Sequence, residues 1–226
     1  TRKGTLWGAF LLPLNHHNMA TSISNIKLND ATKRIIKHLR RATPQELRDG
    51  MEWYDDAMSF AQLLSDTFSI SRVIAAGIIS ALSPNNKWER NKVDAWTLCQ
   101  AYADGKGIDS FKVCTYNANK VRAWGIRSGT VAITKASPKT YAFALNVGDR
   151  NESVVTLDKW MARAFSTTSL KPRKTPETFT PKQYDRFQTH FVNVALRLGY
   201  KPYELQAIVW VVMRNRWLKT ESIPVG

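Results

Sequence analysis

Residues 71–83 read SRVIAAGIISALS, and wound as a helix they are apolar on nearly every side. Such a helix does not lie on a surface with one face in water. It needs other helices around most of its circumference, and the rest of the chain supplies them. "NDATKRIIKHLRR" places Ile35, Ile36 and Leu39 on one helical face, with Asp30 as the expected cap. "TPQELRDGMEWYDDAMSFAQLLSDTF" opens with Thr43 as cap, Pro44 at the first helical position and Glu46 at the third, a capping box. Pro84 ends the central helix. "NKWERNKVDAWTLCQAYADG" is amphipathic and stops at Gly105.

The remaining helices follow the same logic. "TYNANKVRAWGI" predicts a short basic helix capped by Thr115. Pro138 suits the first turn of the next one, and Thr156 is the expected cap of the one after that. "STTSLKPRKTPETF" is polar, basic and proline-bearing, hence a loop. "TPKQYDRFQTHFVNVALRLG" is a capped helix closed by Gly199, and "KPYELQAIVWVVMRNRWLK" is the last. There is no sustained strand pattern, internal repeat or Gly-rich phosphate loop. The expected class is all-α.

Charge narrows the partner. Lys and Arg number 33 against 18 acids, a net +15 over 226 residues, while 43% apolar content leaves ample material for a core. That excess points to a polyanion, nucleic acid before anionic membrane. Cys99 and Cys114 are the only cysteines, too few for a disulfide framework or a four-Cys cluster. His16 and His17 are adjacent, and His38 and His190 stand alone, so no metal site or cofactor is expected. A reducing cytoplasm is the default compartment. Residues 1–20 have a basic start and a short apolar run, Leu6 to Leu14, too short for a bilayer. They read as an upstream extension before Met19, with a signal peptide as the alternative; residues 21–226 form the helical domain.

Four segments then follow in an order that resembles the helix–hairpin–helix DNA glycosylases of the endonuclease III type. They are "SALSPNNKWERNK", "TYNANKVRAW", "SPKTYAFALNV" and "VVTLDKWMARAF". They span roughly Arg72 to Phe165, which would be the hairpin-bearing lobe of a two-lobed helical bundle. The resemblance implies a protein that removes a damaged or modified base from double-stranded DNA, acting as a monomer. Lys139 falls on the family's Schiff-base lysine and Asp158 on its catalytic aspartate. Asn85 falls where the family often fills the gap left by a flipped base, with Asn86 beside it. The family's hairpin glycines are replaced by Lys135 and Ser137, and its iron–sulfur cysteines are absent.

The chemistry has uses for these groups. A carboxylate beside the sugar stabilises the positive charge left when a base departs, and a free amine can attack the same carbon and form an imine that permits strand cleavage. Lys171, Arg173 and Lys174 suit backbone phosphates. Gln206, Trp210 and Arg214 share one helical face at i, i+4 and i+8 and could read a base or a phosphate. Each residue also has a plain structural role open to it. Lys139 can be a solvated first-turn lysine, Asp158 a helix-dipole acid, and Asn85 and Asn86 turn residues. Trp88 and Trp96 suit a core, and the Gln206 stripe suits helix packing. A non-catalytic DNA-binding protein on the same fold, an enzyme of modified-base metabolism, and a basic protein that binds an acidic partner remain the competing readings.

Overall fold

The computed structural model describes residues 23, 26–167 and 178–221, the last three by backbone alone. The expected loop cations Lys171, Arg173 and Lys174 lie outside the described residues. The chain runs through α1 (Leu28–Arg40), α2 (Pro44–Phe68), α3 (Arg72–Leu82), α4 (Trp88–Ala103), a 3-10 turn at Ile108–Ser110, α5 (Asn117–Ser128), α6 (Pro138–Asp149), α7 (Lys159–Ser166), α8 (Pro181–Arg197) and α9 (Pro202–Glu221). No strand occurs among the described residues, so the all-α class holds. None of their helices is by itself long and apolar enough to cross a membrane. No group of three or more potential metal ligands is gathered among them.

The all-round apolar helix sits where its composition demands. Residues 75–82 of α3 are all buried, and α2, α4, α5 and α6 pack around it. Gly77 lets the α5–α6 connection reach the α3 backbone. A Cβ there would lie 2.5 Å from the Ile133 Cδ1. Truncating Ile78 or Ile79 would cost about 2–5 kcal/mol, the usual toll of an unfilled core cavity.

Two apolar clusters form. One gathers Leu64, Ile78, Ile79, Leu82, Leu98 and Val147 from α2, α3, α4 and α6. The other gathers Ile35, Phe165, Phe187, Phe191 and Trp217 from α1, α7, α8 and α9. α7 thus belongs with the terminal helices, whereas α6 packs mainly on α3 and α2. The long helices α2 and α9 run against each other between the clusters. They pack tightly at Gly50, where a Cβ would lie 2.6 Å from the Ile208 backbone nitrogen.

Helix starts show where local sequence rules hold. Thr43 and Thr180 each make a full capping box, with Glu46 and Gln183. Three expected caps are corrected. Asp30 is not a cap; α1 starts at Leu28, and Asp30 lies inside its first turn. Thr115 does not cap α5, whose first flanking residue is Tyr116; its hydroxyl donates to the Pro84 carbonyl at 2.7 Å. Thr156 does not cap α7; its hydroxyl is buried and donates to Asn146 Oδ1 at 3.1 Å, and Asp158 is the cap. In the last two cases a partner distant in sequence takes the hydroxyl that a local rule would assign to the helix.

Candidate functional site

Asp158 ends a short irregular segment, Val154 to Leu157, that is buried throughout. A buried stretch outside helix and sheet must satisfy its backbone through side chains. Asn146 Nδ2 donates to the Val154 carbonyl at 2.9 Å, and Gln188 Oε1 accepts from the Val155 N–H at 3.2 Å. The Tyr184 hydroxyl brackets the segment, donating to the Val155 carbonyl at 2.8 Å and accepting from the Leu157 N–H at 2.9 Å. Below it the Tyr54 phenol donates to Gln206 Oε1 at 2.8 Å and lies 3.2 Å from Thr156 Oγ1. Burial pushes both phenols well above the usual tyrosine range, so both remain neutral hydrogen-bonding groups.

The carboxylate delivered by this frame is half-buried and takes three N–H donors. Oδ1 accepts from the backbone N–H groups of Trp160 at 2.9 Å and Met161 at 3.1 Å; Oδ2 accepts from Trp210 Nε1 at 2.9 Å. Of roughly four lone-pair positions, about one is left open. Such a group is fixed in place. It suits electrostatic stabilisation of a nearby cation better than repeated proton transfer.

Trp210 connects the carboxylate to an aromatic surface at the seam of the two clusters. Its ring lies 6.1 Å from Trp53 on α2, which lies 5.3 Å from Trp88 on α4 and 5.8 Å from Phe143 on α6. Trp53, Trp88 and Trp210 are all half-buried. The Arg214 guanidinium stands 5.2 Å from the centre of the Trp210 ring. Beside Trp53 and Trp88 an open groove of about 450 Å³ is bordered by Phe60, Leu63, Asp56 and Glu89.

Lys139 occupies the second position of α6. It is half-buried and has no hydrogen bond or ion pair among the described residues. Phe143 follows it by four residues, so the two share a face of α6, and Lys139 leans toward the helix start on the side that meets Trp53. α6 and α7 have different main neighbours, α3 and α2 for the first, α1 and α9 for the second. Asp158 reaches the aromatic surface through Trp210, and Lys139 stands one helical turn before Phe143, whose ring lies 5.8 Å from Trp53.

The other candidates divide. Asn85 is exposed at the tip of the α3–α4 turn in the left-handed region, φ 56°, and its Nδ2 donates to the exposed Tyr116 hydroxyl at 2.9 Å. Asn86 turns inward; its Nδ2 donates to Asp94 Oδ2 at 2.9 Å and to the Leu82 carbonyl at 3.2 Å. Lys135 is exposed in the α5–α6 turn, and Ser137 Oγ accepts from Arg122 Nη1 at 3.1 Å. Asp94, missed in the sequence, joins the α3–α4 turn to the α4–α5 connection: the same Oδ2 also accepts the Cys114 N–H at 2.8 Å, and Arg90 pairs with Oδ1 at 3.1 Å. Trp53 was missed too. Only the Gln206–Trp210–Arg214 stripe hinted that α9 contributes, and its three members end up buried, bonded to Asp158 and exposed, in that order.

The chain belongs to DUF7178, a family of unknown function. The match runs over residues 17–217 and so takes in every residue of the aromatic surface, both helix starts and Arg214. No curated protein and no solved structure matches the chain.

Proposed function

We propose that the protein excises a base from double-stranded DNA in the manner of a helix–hairpin–helix glycosylase. The observation that carries this is the Asp158 carboxylate, fixed by three N–H donors and joined through Trp210 to a half-buried aromatic surface, with Lys139 in the first turn of α6 one helical turn before Phe143 of that surface. An extruded base would lie against the tryptophans. As the bond from the sugar carbon to the base nitrogen breaks, its electron pair leaves with the base and positive charge spreads over the sugar ring. Asp158 would stabilise that charge. Water then adds to the carbon and loses a proton, or the neutral Lys139 amine adds; in the second case the bond from that carbon to the ring oxygen breaks, the oxygen takes up the proton the nitrogen gives up, and the resulting imine permits strand cleavage. The α5–α6 turn and the Asn85–Tyr116 tip would face the duplex.

A non-catalytic duplex-binding role is the second reading. The hairpin positions favour it, because Lys135 and Ser137 restrict the close backbone approach that glycines allow.

The test is incubation of the protein with duplexes carrying a range of damaged and modified bases, followed by borohydride treatment on an abasic duplex. Release of at least one base is expected. A trapped covalent complex is expected for the natural chain and lost, by about tenfold or more, in Lys139→Gln, which still binds DNA. Excision without trapping would leave water as the nucleophile. Neither excision nor trapping on any duplex would sink the enzymatic reading and favour the binding role.

A further inference from the structure

The chain's positive charge is unevenly spread. α2 carries six acids, Glu46, Asp49, Glu52, Asp55, Asp56 and Asp66, against the single base Arg48. The neighbouring α1 is the reverse, with Asp30 its only acid. Three of its cations, Lys33, Lys37 and Arg40, are exposed and have no hydrogen bond or ion pair among the described residues. They stand at i, i+4 and i+7, hence on one face, and rise about 10 Å along the axis. Arg34 is on another face and is committed, donating to the Phe165 carbonyl at 2.7 Å.

α8 extends this surface. Thr32 Oγ1 lies 2.6 Å from His190 Nε2, which brings α8 alongside α1. Exposed Arg186 and Arg197 sit about one and two turns to either side of His190. Burial lowers the His190 pKa, and both guanidiniums push it the same way, so both stand close to the α1–α8 contact.

The chemistry of this face selects its partner. Protein interfaces are built around apolar and aromatic anchors and are poor in lysine. The exposed α1 face has no large apolar side chain among the strongly exposed ones. A helix lying on a membrane immerses its apolar side. The apolar side of α1, Ala31 and Ile35, is buried against the protein. What remains on α1 is a row of exposed cations, unpaired among the described residues and with no apolar anchor beside them, which fits a phosphate backbone.

We propose that the exposed face of α1, continued by Arg186 and Arg197 of α8, is a second contact for the phosphate backbone of nucleic acid, separate from the α5–α6 hairpin. The two surfaces are built on different clusters: α1 packs with α7, α8 and α9, and α5 and α6 pack on α3. A duplex held at both would be gripped from both sides of the seam. The proposal goes beyond base excision and does not depend on the chemistry of Asp158.

The test is the salt dependence of binding to a fluorescent duplex without any lesion. Each phosphate contact contributes about 0.9 to the log–log slope. The triple variant K33Q/K37Q/R40Q should lower the slope by about 2–3 and the affinity at ~0.1 M salt by about 10–100-fold. The hairpin variant K135Q/K139Q should lower the slope by about 2, and the combined variant should show the sum. Should the triple variant fold poorly, Lys37→Gln alone should remove about 0.9. A triple variant with an unchanged slope, or a natural chain with a flat one, would overturn the proposal. So would loss of binding to anionic phosphatidylserine vesicles with duplex binding intact, which would assign the face to membrane. Absence of base release alongside the expected slopes would strike only the enzymatic reading.

Discussion

The first turns of α6 and α7 solve one problem in opposite ways. Every helix begins with N–H groups that lack an intrahelical partner. At α7, Asp158 takes two of them and Trp210 adds a third donor to the same carboxylate. At α6, Pro138 removes one N–H, Ser137 makes no capping bond, and the Lys139 and Thr140 N–H groups have no acceptor among the described residues. α7 is also tied at its far end, where Arg34 donates to the Phe165 carbonyl and His38 Nε2 to the Thr167 carbonyl. One start is closed and holds a negative charge in place. The other is open, positive and ready for an anion. The proposed base excision, with a phosphate backbone to hold and a sugar cation to stabilise, would use one of each.

The contrast breaks most sharply at Asp158. Asp158→Asn keeps a good capping residue but sets an amide NH2 toward the Trp210 N–H. Stability should fall by about 1–2 kcal/mol. Base release in single-turnover assays should fall by about 10²–10³, the scale for losing a positioned electrostatic group. Trp210→Phe keeps an aromatic ring but removes the N–H donor and the five-membered ring that carries it, so a loss of about tenfold is expected. Equal turnover in both variants and the natural chain would reduce Asp158 to a helix cap.

A pH series sharpens the difference at the far end of α7. Burial lowers the His38 pKa below its ordinary 6.5, and Arg41, Arg216 and Lys37 lower it further, outweighing the Thr167 bond. Above about pH 6.5 the residue is neutral whether folded or unfolded. Below it the unfolded chain takes up the proton first, so stability falls as pH falls, by up to about 1.4 kcal/mol per pH unit. His190 acts with the same sign. Thermal melts from pH 8 to pH 5 should show the decline, and His38→Gln should flatten part of it. Amide exchange should rise in α7 before α6. A melting temperature level across that range would contradict the burial of His38 in its neutral form.

The smallest effect comes from giving α6 what α7 has. Ser137→Asp places a carboxylate at the open start. The melt should rise by the equivalent of about 0.3–1 kcal/mol. Duplex affinity should fall by about three- to tenfold as the acid repels phosphate. A gain in stability with no loss of affinity would show that the α6 start does not face DNA.

Much of the fold was legible because its signals are local. The all-round apolarity of α3 announced its central place, and the capping boxes at Thr43 and Thr180 need only four residues each. Thr115 and Thr156 misled because their hydroxyls go to Pro84 and Asn146, which no local rule can see. The site was legible in part. Lys139 and Asp158 stood out at helix starts, but the aromatic surface that Asp158 meets draws on Trp53, Trp88, Phe143 and Trp210, from four helices. Nothing in the spacing of residues 53 and 210 says that their rings meet. Asn86 looked like its neighbour Asn85, yet the buried Asp94 pulls it inward.

Gly50 has a mechanical consequence. Because α2 and α9 touch there through backbone, with no side chain between them on the α2 side, the joint has almost no compliance. Side chains can change rotamer to let helices slide, but main-chain atoms in contact cannot. The backbones of α2 and α9 are therefore held at one spacing beneath Trp53 and Trp210, like the jaw width of a fixed spanner. Under the proposed reading, a ligand on the aromatic surface would be admitted by the outer parts, the α3–α4 turn and the α5–α6 connection, while the jaw itself keeps its gauge.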